Sequence, residues 1–143
     1  EFFFEYKNFL MFKNLRHFTF RVKYIAKLPR SSRTRFSTGW VLADAQSNSE
    51  ADLVAAIHDA RQNHAAIIIN PGAFTHYSWA IHDALSAYSG PIVEVHLSQP
   101  LRRESWRHVS VVAPLAIGTI AGFGAAGYEL AVAGLSHYFQ YQH

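Results

Sequence analysis

Residues 65–69, Ala-Ala-Ile-Ile-Ile, are apolar at every position and run straight into Asn70-Pro71-Gly72. A strand with one wet face alternates polar and apolar residues. A short run with no polar residue is how a parallel strand covered on both faces reads. Pro71 lacks a backbone donor and Gly72 admits turn conformations, so the strand has to stop there. A chain built around this segment must find helices to cover both of its sides.

The flanking sequence predicts them. Residues 41–45 form a short apolar strand, and Gln46-Ser47-Asn48 a polar turn. The following helix is capped by Ser49 or Asn48, carries Glu50 and Asp52 at the positive end of its dipole, repeats Leu53, Val54, Ile57 and Ala60 at helical spacing, and ends near Asn63. A second helix is expected over roughly 78–88, with Ala80, Ala84 and Leu85 on one side, closed by Ser89-Gly90-Pro91 before a strand at 92–95. After a polar, basic loop at 98–108 come a strand within 111–120, the turn Gly122-Phe123-Gly124, and a helix from about 125 to 138. Alternation of strand and helix predicts an α/β fold, a parallel sheet with helices on both faces, whose ligand lies beyond the carboxyl ends of the strands.

The first forty residues follow another pattern. They hold nine Lys and Arg against two acids, a net of +7, whereas residues 41–143 hold four against eight, a net of −4. Phe18, Phe20, Val22 and Tyr24 alternate with polar residues, which predicts a half-exposed strand rather than a central one. Residues 28–39 read as a loop. We expect residues 1–40 to be an atypical basic segment, a replaced N-terminus or a wrongly joined translation, which sequencing the transcript across codon 41 tests. The rival reading is a nucleic-acid or membrane arm, whose binding would weaken steeply with salt. With half of its 143 residues apolar, the chain is long enough for one core. The absence of cysteine rules out disulfides and thiolate metal sites.

The uncharged window 109–128 is long enough to cross a membrane, but Pro114, Gly118, Gly122, Gly124 and Gly127 fit a strand, a turn and a helix better. Gly122, Gly124 and Gly127 match a dinucleotide fingerprint in spacing, yet the acidic residue expected about twenty positions on is missing, so close helix packing is the preferred reading. Nine histidines invite a metal site, but His58 and His64, or His76 and His82, are six apart rather than four. No metal is expected.

Chemistry concentrates elsewhere. Alternation along residues 92–96 puts Glu94 and His96 on one face at the carboxyl end, where a carboxylate can orient an imidazole for general acid or base work; a structural Glu-His hydrogen bond would look the same. Asn70 and His76 flank the turn after the preceding strand, Ser98 follows His96, and Arg103 and Arg107 lie in the next loop. Together they suit a polyhydroxylated carboxylate.

At these residues the sequence resembles the type II 3-dehydroquinate dehydratases. The resemblance is carried by Gln46-Ser47-Asn48-Ser49-Glu50, by Ile69-Asn70-Pro71-Gly72-Ala73-Phe74-Thr75-His76, by Glu94-Val95-His96-Leu97-Ser98, by Arg103-Glu104 with Arg107, and by Gly118, Gly122, Gly124 and Gly127-Tyr128. It covers about residues 41–140 and implies a flavodoxin-like three-layer fold in a homododecamer built of trimers. The implied reaction dehydrates 3-dehydroquinate to 3-dehydroshikimate, in the shikimate or quinate pathway, with no cofactor. Carried over, His96 is the general acid, supported by Glu94. Asn70, His76 and Arg107 bind substrate, Leu97 and Ser98 hold its carboxylate, and Asp83 reaches a neighbouring subunit's site. The family's first strand, with its Asn-Gly-Pro-Asn turn, and its lid tyrosine, which serves as the base, are not recognisable here. Neither Tyr6 nor Tyr24 is assigned that role, and Val109 stands where the family usually has histidine. The expected partners are 3-dehydroquinate and further copies of the chain, not nucleic acid or membrane, in the cytoplasm. The alternative is an inactive remnant that assembles or binds ligand without turnover.

Overall fold

The computed structural model describes residues 20–27 and 40–141, with side chains from 43 to 141. The chain order is β1 (Phe20–Lys27), β2 (Trp40–Ser47), α1 (Glu50–Asn63), β3 (Ala66–Asn70), α2 (Trp79–Ser86), β4 (Ile92–His96), β5 (Gly118–Ala121) and α3 (Ala126–Gln140). The five strands make one sheet in the order β2-β1-β3-β4-β5. The β3–β4 and β4–β5 pairs are parallel, with Ile69 opposite Glu94 and Glu94 opposite Thr119.

Two expectations about the N-terminal side are corrected. β1 lies inside the sheet, antiparallel to both β2 and β3, with Tyr24 opposite Ala43 and Ile67. Alternation in a sequence reports which faces of a strand are apolar; which backbones its edges meet is a separate matter. The sheet is therefore mixed, with its parallel part in β3, β4 and β5. Gln46 and Ser47, expected in a turn, belong to β2, because pairing with β1 runs the full length from Phe20↔Ser47 to Lys27↔Trp40. Residues 28–39, expected as a loop, and residues 1–19 lie outside the described residues.

From α1 onward, local chemistry and structure agree. Ser49 is the cap of α1, its Oγ accepting from the Asp52 N–H at 3.3 Å. Ser78 caps α2, accepting from the Ile81 N–H at 3.1 Å. All five residues of β3 and of β4 are buried. One side of the sheet sends Ile67, Ile69 and Ile92 against Leu53, Ile57 and Ala60 of α1 and Ile81, Ala84 and Leu85 of α2. The other sends Ala66, Ile68, Val93 and Val95 against Tyr128, Ala131 and Leu135 of α3. Each buried isoleucine contributes on the order of 1.5–3 kcal/mol of transfer free energy, so this double-sided burial fixes where the strand ends point.

The uncharged window 109–128 is divided among a 3-10 turn at Ala113–Leu115, β5, a glycine turn and the start of α3. Among the described residues no helix is long and apolar enough to cross a membrane. Gly122 and Gly124 take φ of 90° and 57°, and their N–H groups donate to the His96 and Leu97 carbonyls at 3.2 and 2.9 Å. Gly127 brings α3 onto the sheet: a Cβ there would stand 3.2 Å from Val95 Cγ1. The glycines serve turn geometry and packing.

Candidate active site

Parallel pairing puts the ends of β3 and β4 side by side, and with them Asn70 and the Glu94-His96 pair. Both Asn70 and His96 retain 9% exposure at the surface of an otherwise dry sheet end, while Glu94 has 0%. The expected shared face is observed: His96 Nε2 lies 2.9 Å from Glu94 Oε1. An ionised carboxylate can only accept, so Nε2 is the donor. The other ring nitrogen, Nδ1, has no protein hydrogen bond among the described residues.

Burial pushes the Glu94 carboxyl up. Hydrogen bonds from His96 and Thr75, the His96 charge, and the Ser110 hydrogen bond outweigh it and hold the group below the usual carboxylate range. Thr75 Oγ1 donates to Oε1, Ser110 Oγ lies 3.1 Å from both carboxylate oxygens, and Thr119 Oγ1 is 3.5 Å from Oε2. This hydroxyl shell was not read from the sequence. The Thr75 and Ser110 positions carry no spacing signal, and only β5 register places Thr119 across from Glu94.

Asn70 is locked from two sides. Its Oδ1 accepts from the Gly72 N–H at 3.1 Å, closing the turn in which Gly72 has φ 53°, and its Nδ2 donates to the buried Tyr128 hydroxyl at 3.1 Å. Tyr128 thus ties α3 to the site, a role its neighbour Gly127 gave no hint of. His76, in the 3-10 turn Gly72–His76, sets its Nδ1 2.6 Å from the Val109 carbonyl oxygen. A carbonyl only accepts, so Nδ1 carries a proton and, in the neutral ring, Nε2 is left as an acceptor. The Val109 side chain is exposed and the contact uses its backbone carbonyl, so the His76 bond does not depend on which side chain stands at position 109.

The basic loop folds back over this turn. The Trp106 ring meets His76 edge-on at 5.3 Å, Arg107 lies 4.0 Å above Trp106, and Arg107 Nε donates to Glu104 Oε2 at 2.7 Å. A chain of contacts therefore joins Arg107 to His76. Arg103 lies 3.6 Å from the same carboxylate oxygen. The Glu104 carboxyl is held below its usual range by hydrogen bonds from its own backbone and from Arg107, with the Arg107 and Arg103 charges adding to the effect.

Leu97 and Ser98 follow directly on β4, Leu97 half-buried with its carbonyl taken by Gly124, and Ser98 exposed. Asp83 stands apart on the exposed side of α2. No group of three or more potential metal ligands occurs among the described residues. Tyr6 lies outside the described residues, and Tyr24 sits mid-strand in β1.

Comparison with known proteins gives this arrangement a context. The model of the class II dehydroquinase family matches residues 18–136. The chain is 58% identical over 87 residues to the 3-dehydroquinate dehydratase of Bacillus subtilis (strain 168), covering 61% of this chain and 59% of the relative. It is 52% identical over 100 residues to that of Ruegeria pomeroyi (strain ATCC 700808 / DSM 15171 / DSS-3), covering 70% and 67%. The crystal structure of type II dehydroquinase from Propionibacterium acnes aligns with a TM-score of 0.61 at 44% identity, over 64% of this chain and 63% of that one. A second such structure, from Butyrivibrio crossotus DSM 2876, aligns with the same TM-score at 45% identity, over 62% and 63%. The chain spans about three fifths of the length of most of these relatives. Family match, sequence identity and three-layer architecture agree: this chain belongs to the class II dehydroquinases.

Proposed function

We propose that the chain dehydrates 3-dehydroquinate to 3-dehydroshikimate. The observation that carries this reading is the buried Glu94-His96 pair at a parallel strand end, beside Asn70 and His76, within a family whose relatives are named for that reaction. In the proposed reaction a base removes a proton beside the ketone, giving an enolate. The C–O bond then breaks, and the departing hydroxyl takes a proton from His96 and leaves as water. Fixed donors that meet the growing enolate charge lower this barrier more than equal binding of substrate and transition state would. His96 suits the acid role because ionised Glu94 stabilises the imidazolium that must give up the proton.

In the same proposal Asn70, His76 and Arg107 bind the substrate hydroxyls and carboxylate, with Leu97 and Ser98 receiving the carboxylate. Asp83, on the exposed side of α2, serves a neighbouring subunit in a dodecamer of trimers. Large apolar side chains left exposed near the site, among them Tyr77, Trp79 and Trp106, support such an assembly. Division of the chain at residue 40 rests on its charge asymmetry.

The test follows the ultraviolet absorbance of the conjugated enone product when purified chain meets 3-dehydroquinate, beside a His96→Ala control. Turnover is expected, with kcat lowered about 10²- to 10⁴-fold in the control. Absence of turnover from folded protein would refute the reading and leave a ligand-binding remnant.

A further inference from the structure

The hydroxyls around Glu94 come from three separate places in the chain. Thr75 stands in the 3-10 turn after β3, Ser110 in the loop before Ala113–Leu115, and Thr119 in β5. Thr75 has no exposure, and its backbone carbonyl accepts from the Val111 N–H at 2.7 Å, which ties its turn to the Ser110 loop. The Ser110 Oγ accepts from the Val112 and Ala113 N–H groups at 3.1 and 2.8 Å. With its lone pairs occupied, its proton is directed at Glu94 or at Thr75 Oγ1, 2.8 Å away. Thr75 in turn donates to Glu94 Oε1. Thr75 thus donates to the carboxylate directly, and Ser110, held by the two N–H groups behind it, donates to it directly or through Thr75.

Their aim matters because a carboxylate without exposure otherwise prefers its neutral form. A neutral Glu94 would turn its O–H toward His96 Nε2, and the neutral ring would then carry its own proton on Nδ1. An ionised Glu94 requires the proton on Nε2. We infer that Thr75 and Ser110 are positioning residues: their hydroxyls keep Glu94 an acceptor, which fixes a proton on His96 Nε2 and leaves Nδ1 to take up and release the second proton. The consequence for turnover rests on the dehydratase reading; the ring state is a property of the folded chain without substrate.

Thr75→Val retains the side-chain shape and the backbone bond to Val111 while removing the hydroxyl. Long-range ¹⁵N–¹H spectra of the full chain, with His96 assigned from a His96→Gln sample, should show the Nε2–H ring in the original protein. They should show a shift toward the Nδ1–H ring in Thr75→Val and recovery in Thr75→Ser. With 3-dehydroquinate, Thr75→Val should lower kcat about tenfold with KM within about twofold. A folded Thr75→Val whose His96 signature is unchanged overturns the inference; if that variant does not fold, an unchanged signature in Ser110→Ala does so. Should the original chain lack turnover while the ring signature shifts as expected, the dehydratase reading fails and this inference stands.

Discussion

Replacing Glu94 by glutamine removes a buried charge and almost no volume, so its effect separates two opposed energies. Oε1 accepts from His96 and Thr75, and Oε2 receives Ser110 and the long contact from Thr119. A glutamine with its oxygen at the Oε1 position retains the first two bonds, while its amide loses the Ser110 bond, because the Ser110 lone pairs are taken by the Val112 and Ala113 N–H groups, and only the distant Thr119 hydroxyl can turn to accept. Two charge-assisted bonds, each worth about 1.5–3 kcal/mol, become neutral ones worth about 0.5–1.5 kcal/mol. Relief of the desolvation penalty acts in the other direction and can reach several kcal/mol. The direction of the Glu94 pKa decides between them. Burial raises it, but His96, Thr75 and Ser110 bring it below the usual 4.5, so this pocket prefers the carboxylate to a neutral group. Glu94→Gln should therefore cost about 1–2 kcal/mol near neutral pH.

The pH dependence carries the same sign. A native pKa below the unfolded one means that the unfolded chain binds more protons in the window between them, so stability rises with pH there. The Glu94 contribution is complete above the usual value of 4.5 and is lost as pH falls through the lower native value. Urea unfolding followed by tryptophan fluorescence, at one protein concentration and from pH 7 downward, measures this. The gap between the original protein and the variant should hold constant to about pH 5 and then close. A variant as stable as the original at pH 7, or a gap unchanged through the acid range, would show that desolvation dominates the site and refute the reasoning.

Ser78→Ala should destabilise the domain by about 1–2 kcal/mol in the same assay, because the Ser78 hydroxyl caps α2 and also donates to Glu50 at the start of α1; a loss below about 0.5 kcal/mol would mean that water replaces both bonds. Gly134→Ala should stabilise by about 0.5–1 kcal/mol, since a Cβ there meets nothing within 4 Å on an exposed side of α3, and thermal unfolding with a lowered midpoint would contradict it.

The elements from α1 onward were legible because local signals agreed with one another. Ile67-Ile68-Ile69 reads as a strand covered on both faces, Ser49 and Ser78 sit where caps belong, and Glu94 and His96 share a face through the strand period of two. The Gly127 contact with Val95 likewise follows from glycine spacing at the start of a helix. These features depend on neighbours within a few residues, which a sequence displays directly.

What the sequence determined by itself is thus the alternating α/β order, the two-sided core and the identity of the Glu94-His96 pair. Tertiary structure alone decided three things. It put β1 between β2 and β3, because edge pairing depends on backbones far apart in the chain. It surrounded Glu94 with Thr75, Ser110 and Thr119, drawn from a turn, a loop and a strand 19, 16 and 25 residues away, whose hydroxyls converge only when β3, β4 and β5 lie side by side. It also fixed the His76 proton through the backbone of Val109, a contact independent of side-chain identity and so without any trace in the residue pattern. Hydrogen bonds are short and directional, and their partners are chosen by proximity in space rather than by order along the chain.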